Sequence, residues 1–175
     1  MPELDELIER IAQKDETAFH TLYEETRSAV YSFAMSILKH PQDAEDVMQD
    51  TYLSIYHAAI QYIPGGKPMS WIFTIVRNHC LMKLRSQKKR QEVSIDELEH
   101  WVEEQSGLQP EEKLVLEAAL KSLGDEEYQI VVLHSFGDLR HREIAQLLDL
   151  KLSTVLSKHH RALAKLRKII GGESK

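Results

Sequence analysis

The sequence predicts an all-α protein: two small helical domains joined by an acidic linker. Three observations carry that expectation. Glycine and proline number only seven and five in 175 residues, so few positions interrupt a helix. Apolar residues recur at helical intervals along most of the chain. The charges, finally, fall in blocks. Residues 51–91 contain no Asp or Glu but carry Lys67, Arg77, Lys83, Arg85, Lys88, Lys89 and Arg90. Residues 150–172 repeat the pattern with Lys151, Lys158, Arg161, Lys165, Arg167 and Lys168. Between the two islands, residues 92–127 hold twelve acids against Lys113 and Lys121. The formal net charge of −6 conceals this segregation. Two cationic islands flanking an acidic bridge suggest a polyanion gripped at two places.

Leu4, Leu7, Ile8 and Ile11 define a short amphipathic helix at the start. The next helix carries Phe19, Leu22, Tyr23, Val30, Phe33, Ala34, Ile37 and Leu38 on one face. It ends near His40, because Pro41 disfavours helical geometry in the residue before it. Pro41 suits the first position of a third helix, whose positive end favours Asp43, Glu45 and Asp46. That helix runs to about Gln61, with Ala44, Val47, Met48, Thr51, Tyr52 and Ile55 facing inward. The stretch "IPGGKP", residues 63–68, makes a loop. Ser70 then caps a fourth helix over about 71–88, with Trp71, Ile72, Ile75 and Val76 on its apolar side. The first domain is therefore residues 1–90.

Residues 91–109 form the acidic linker, with a weak helical turn at "IDELEHWVEE". The second domain, residues 110–175, starts with a helix at Pro110 bearing Leu116, Leu120 and Leu123. Asp125 caps the next, which carries Ile130, Val131, Val132, Leu133 and Phe136 until Gly137 stops it. Two last helices follow, over 139–148 and 153–170.

A hydrophobic share of 42% with 29% charged residues suits a chain that buries a core. Cys80, the single cysteine, excludes an internal disulfide. No apolar run reaches the roughly 18–20 residues of a membrane span, and the charged start "MPELDELIER" lacks a secretory signal's apolar core. A cytoplasmic protein without membrane insertion is expected. Nine histidines and one cysteine offer no recognisable ligand spacing, so no metal is expected. His159 lies on an apolar stripe and reads as a core histidine. With no P-loop, G-x-G-x-x-G or G-x-S-x-G in the sequence, neither a cofactor nor catalysis is expected.

The last two helices have the layout of a helix-turn-helix. "EIAQLL" supplies the packing face of the first, "DLKL" the turn and Ser153 the cap of the second. Asp149 falls where the turn wants a left-handed residue, a conformation Asp tolerates. Val155, His159, Ala162, Leu163, Leu166 and Ile170 form the inward stripe of the final helix. Thr154, Ser157, Lys158, Arg161 and Lys165 are left to point outward, toward base edges or phosphates. The other island differs in mixing cations with Trp71, Phe73 and Asn78. Aromatics among cations can stack on bases exposed in a single strand, although Trp71 and Phe73 also suit a core. Asp43, Glu45, Asp46, Gln49 and Asp50 crowd one end of the third helix. That acidic surface repels DNA and fits a basic protein surface.

At this point the residues resemble a family, the bacterial sigma factors of extracytoplasmic-function type. "AFHTLYEETRSAVYSFAMSIL", "DAEDVMQDTYLSIYHA" and "MSWIFTIVRNHCLMKLRSQKKR" look like their region two. "LKSLGDEEYQIVVLHSFGDLRHREIAQLLDLKLSTVLSKHHRALAKLRK" looks like their region four. The resemblance implies core RNA polymerase, promoter DNA and an anti-sigma factor as partners. It assigns polymerase docking to Asp43, Glu45, Asp46, Gln49 and Asp50. Opening and reading of the minus-ten element fall to Lys67, Ser70, Trp71, Thr74, Arg77, Asn78, Lys83 and Arg85. The minus-thirty-five duplex falls to Arg140, Thr154, Leu156, Ser157, Lys158, His160, Arg161 and Lys165. The chain departs from the family pattern at Met82, commonly Asp, at Gly124, commonly Pro, and at Asp149, commonly Gly. Leu156 replaces a frequent Lys, which would exchange a phosphate contact for a thymine methyl, and Lys158 with His159 replaces a frequent Arg-Leu.

Other readings stay open on the residues. An operator-binding helix-turn-helix regulator would use the final helices without a polymerase, but needs neither the acidic helix nor the single-strand patch. An interaction protein could mimic a sigma factor and sequester its partners. A divalent-metal nuclease built on Asp46 and Asp50 is the weakest alternative.

Overall fold

Helix α1 (Leu4–Ala12) buries Leu7, Ile8 and Ile11, the stripe that its apolar spacing dictates. The computed structural model describes residues 3–87, 115 and 118–171, and every regular element among them is helical. The chain divides into two compact units, Met1–Ile95 and Asp96–Lys175. The expected linker over 91–109, its weak helical turn and the helix start at Pro110 lie outside the described residues.

In the first unit α1 packs on α2 (Glu16–Leu38), the central helix, whose residues Ala29–Ser36 are all buried. Asp15 caps α2 by accepting from the Ala18 N–H at 3.0 Å, and its carboxylate is clamped by Arg10 at 2.8 Å. Both contacts lower the Asp15 pKa, the Ala18 hydrogen bond foremost. Lys39 ends α2 in a left-handed conformation, and Pro41 opens α3 (Pro41–Ala58) as expected. Regular α-helical bonding in α3 stops at Ala58, however, and Ala59–Gln61 tighten into a 3-10 turn. Helix α4 (Pro68–Gln87) starts at its proline and not at Ser70. Trp71 N–H already bonds to the Lys67 carbonyl at 3.2 Å, so Ser70 lies inside the first turn and caps nothing. The reason is the one that places Pro41: a fixed φ and no N–H to lose.

The core of this unit is aromatic. Phe33 and Phe73 are fully buried and meet edge to face with centroids 5.3 Å apart. Tyr52 seals the α2–α3 contact, sharing a 2.7 Å hydrogen bond with Thr26, and burial raises its hydroxyl pKa. Cys80 is buried as well, which lifts its thiol to about 12. Such a thiol is unreactive at neutral pH.

In the second unit residues 118–121 are helical, followed by α5 (Asp125–Ser135), α6 (His141–Leu148) and α7 (Leu152–Ile170). Four expected boundaries move, one being the start of α6, expected at Leu139 and found at His141. Gly124, not Asp125, is the N-cap of α5, and Glu127 accepts from the Gly124 N–H at 3.1 Å. Gly137 follows a helix that has already ended at Ser135, and the left-handed residue is Asp138 (φ 52°). Ser153 is the second residue of α7 and caps nothing; Lys151 is the N-cap. Asp149 does take the left-handed conformation (φ 55°) required between α6 and α7. Val155, His159 and Ala162 are buried and Leu163 and Leu166 half-buried, but Ile170, the last residue of α7, is exposed.

Candidate nucleic-acid interface

The first cationic surface is the outer face of α4 with the loop before it. Asp5 of α1 anchors that loop, accepting from the Tyr62 hydroxyl and from the Gly66 N–H at 3.0 Å. Burial and the Asp5 carboxylate both raise the Tyr62 pKa. Gly66 sits at φ 69°, a left-handed conformation that suits glycine. Tyr62 in turn packs on the half-buried Trp71, centroids 4.8 Å apart. From Trp71 onward, Thr74, Asn78 and Arg85 follow at helical spacing and are exposed, as is Lys67 in the loop; Arg77 is half-buried beside them. The Thr74 hydroxyl bonds back to the Ser70 carbonyl. Phe73 is withdrawn into the core and cannot stack on a base.

Lys83, expected among the minus-ten contacts, faces elsewhere. It reaches Asp43 at 3.1 Å and Asp46 at 2.8 Å on α3, and the Asp46 hydrogen bond leads in raising its pKa. Asp46 is lowered in return. Asp43 also accepts from Gln87 at 2.5 Å, so two of the five acidic-patch residues bind α4. Glu45, Gln49 and Asp50 remain exposed. Sequence reasoning missed Leu53, 58% exposed on the same outer face one turn beyond Gln49. Its position off the Ala44–Val47–Thr51–Ile55 stripe was the available signal. It also missed Ile63, 85% exposed at the start of the loop.

The second surface is α7. Three of its expected DNA-reading cations meet the first turn of α5: Lys158 reaches Glu126 at 3.0 Å, while Lys165 and Arg161 reach Glu127 at 2.6 and 3.7 Å. Glu127 is buried, and the Lys165 hydrogen bond leads in holding its carboxyl below the usual range. Lys158 is thereby half-buried rather than outward, because α5 offers acids where α7 offers cations. Arg161 keeps 60% of its side chain exposed. Leu156, Ser157 and His160 are exposed, Thr154 is half-buried, and Arg140 is an exposed N-cap of α6.

The sequence has no recognisable ligand spacing, but the fold brings three histidines together. His134, His141 and His159 each present a ring nitrogen within 4.8 Å of the others. Their separations in sequence, seven and eighteen residues, match no familiar spacing, and only the packing of α5, α6 and α7 assembles them. His159 is buried, as a core histidine should be, but its Nε2 has no hydrogen-bond partner among the described residues.

Comparison with known proteins completes the picture. The family model of sigma-70 region 2 matches residues 22–90 and that of sigma-70 region 4 matches residues 113–166, together well over half of the chain. The chain is 29% identical over 177 residues to the ECF RNA polymerase sigma factor SigK of Mycolicibacterium vanbaalenii, spanning 97% of this chain and 90% of that one. Two solved structures share the fold. CnrH, in complex with the cytosolic domain of CnrY, superposes with a TM-score of 0.60 at 22% identity, over 97% of this chain and 98% of that chain. The sigma factor RpoE of Bartonella quintana, in complex with the anti-sigma factor NepR, gives 0.62 at 19% identity, over 89% and 98%. With both regions matched in order along the chain, the protein belongs to the sigma-70 family, as an RNA polymerase sigma factor of the extracytoplasmic-function (ECF) type.

Proposed function

We propose that residues 1–90 dock on core RNA polymerase and read the minus-ten element, and that residues 110–175 read the minus-thirty-five duplex. Residues 91–109 join the two. The observation that carries this division is a pair of exposed helix faces, one on each unit, with different chemistry. Trp71 of α4, against which Tyr62 of the preceding loop packs at a tilt, stands beside Thr74, Asn78 and Arg85 and the loop residue Lys67, which suits unstacked bases and a single-strand backbone. On α7 the exposed Leu156, Ser157, His160 and Arg161 suit base edges and phosphates in a major groove.

Polymerase docking falls to Glu45, Gln49 and Asp50 beside Leu53, with Asp43 and Asp46 holding α3 against α4 through Lys83. A carboxylate surface with one apolar contact at its edge complements a basic protein surface. The chain itself makes and breaks no bonds; the chemistry belongs to the polymerase. Of the two solved structures, one holds the anti-sigma factor NepR and the other the cytosolic domain of CnrY, which supports control by an anti-sigma factor here. A cytoplasmic location follows from that role, and no described helix is long and apolar enough to cross a membrane.

The test is promoter-dependent transcription with purified core polymerase. Asp50→Lys is expected to lower core affinity several-fold without changing duplex binding. Unchanged core affinity in that variant would remove the docking assignment. Binding to promoter DNA with no transcript from any core preparation would favour an operator-binding regulator instead.

A further inference from the structure

Three imidazoles converge in the second unit, and none of them serves the DNA-reading faces. His134 lies near the end of α5, His141 opens α6, and His159 sits midway along α7. The ring centroids form a near-equilateral triangle with sides of 4.6, 4.6 and 4.8 Å. His134 Nδ1 is 2.9 Å from the Leu139 carbonyl, so that nitrogen carries the proton and Nε2 keeps its lone pair. A backbone carbonyl on the far nitrogen is how metal-ligating histidines are oriented. His141 Nε2 and His159 Nδ1 lie 2.8 Å apart and share a single proton. His159 Nε2 is buried without a hydrogen-bond partner among the described residues.

We propose that His134, His141 and His159 bind one divalent first-row transition-metal ion, zinc being the simplest occupant, with water completing the shell. Tetrahedral zinc holds imidazole nitrogens about 3.3 Å apart, given bonds of about 2.0–2.1 Å. That spacing falls between the 2.8 Å His141–His159 contact and the 4.8 Å outer limit of the cluster. Small ring rotations, with the shared proton moved to the outer nitrogen of the ring that donates it, therefore free both facing nitrogens for metal bonds. Three imidazoles without a thiolate or a carboxylate suit zinc, copper, nickel or cobalt and discriminate against magnesium and calcium. His134 and His141 are half-exposed, which gives the ion an entry path and the water its place.

The ligands come from three successive helices. An ion among them ties α7 to α5 and α6, and so fixes the helix whose exposed face lies beside His159 at His160 and Arg161. This consequence, unlike the site itself, rests on the assignment of α7 to the minus-thirty-five duplex.

The experiment uses the tag-free full-length chain, stripped by a chelator and titrated with Zn2+ against a chromophoric competitor, and with Co2+ as a spectroscopic probe. One equivalent is expected to bind, and the cobalt form to show tetrahedral visible bands. His134→Gln and His141→Gln, both at half-exposed positions, are each expected to weaken binding at least about tenfold, the size of loss that even an outer-shell partner produces. His20→Gln, at an exposed position on α2, is expected to leave it unchanged. Unchanged far-UV circular dichroism in the variants separates ligand loss from misfolding. No stoichiometric uptake, or an affinity in both cluster variants equal to that of the unaltered chain, overturns the site. Tighter binding of a minus-thirty-five duplex with Zn2+ than without supports the clamp. Zinc uptake by a chain that binds no duplex would sustain the site and overturn the promoter assignment instead.

Discussion

The basic helices of the two units handle their cations differently. On α4, Lys83 turns to the carboxylates of α3, and the opposite face keeps Thr74, Asn78 and Arg85 exposed. On α7, Lys158 meets Glu126 and Lys165 meets Glu127 of α5, while Arg161 reaches Glu127 only at 3.7 Å and stays exposed with Leu156, Ser157 and His160. A block of positive charge is thus not by itself an interaction surface. Part of it balances acids inside the same unit, and the helix face decides which part. The cores differ in the same spirit. The first unit closes around Phe33 and Phe73, whereas the second surrounds Ile130, Leu133, Leu139 and Ile144 and admits three imidazoles.

Cutting into the aromatic core should do the most damage. Phe73→Ala removes a fully buried ring from contact with Phe33 and is expected to cost about 3–5 kcal/mol of first-unit stability, read by urea denaturation. A loss below about 1 kcal/mol would mean that the α2–α4 contact is not where this unit is held together. Next comes the buried acid of the second unit. Glu127→Ala leaves the Gly124 N–H and Lys165 without their partner and is expected to cost about 1–3 kcal/mol.

Glu127 also gives the second unit an acid limb. Its carboxyl is lowered from the usual value of 4.5, so the unfolded chain takes up the proton first as pH falls. The stabilisation is complete above 4.5 and disappears as pH drops through the lower folded value. Hydrogen exchange of α5 and α7 amides against pH reads this loss, and Glu127→Gln should flatten it. An acid limb that persists in that variant would place its origin elsewhere.

The smallest effects discriminate most between the two helices. Lys83→Met is expected to cost about 1 kcal/mol at most, since its pair with Asp43 is partly exposed. It should also leave the salt dependence of promoter binding unchanged. Arg161→Ala should instead reduce the slope of log affinity against log salt by about one unit, if the side chain neutralises one phosphate. A slope change from Lys83→Met equal to that from Arg161→Ala would erase the distinction between inward and outward cations.

Most of the fold was legible because its signals are local. Pro41 at the start of α3, the apolar stripe of α1 and the left-handed Asp149 each follow from steric rules acting within one turn. The two misplaced serine caps have separate causes, the preference of Pro68 for a first helical position and the one-residue margin within which helix ends vary at Leu152. Ser70 and Ser153 are good capping residues, but each lies just inside its helix, one or two residues past the observed start. What the sequence hid was tertiary. Nothing local says that Lys83 will find Asp43 forty residues away on α3, or that Lys165 will reach back to Glu127. The histidine triangle is the extreme case, since its members come from three helices at irregular intervals. Leu53 was readable in principle from its place off the inward stripe, but it sits within "TYLSIY", where apolar neighbours disguise it.

The account turns on two outward faces, one per unit, acting on one promoter. The direct measurement is run-off transcription by purified core polymerase with the full chain carrying either Thr74→Ala, Asn78→Ala and Arg85→Ala together, or Ser157→Ala, His160→Ala and Arg161→Ala together. Each triple variant should abolish promoter-specific initiation while binding core as tightly as the unaltered chain. Full initiation by either variant, at unchanged core affinity, would contradict the assignment of that face to promoter DNA.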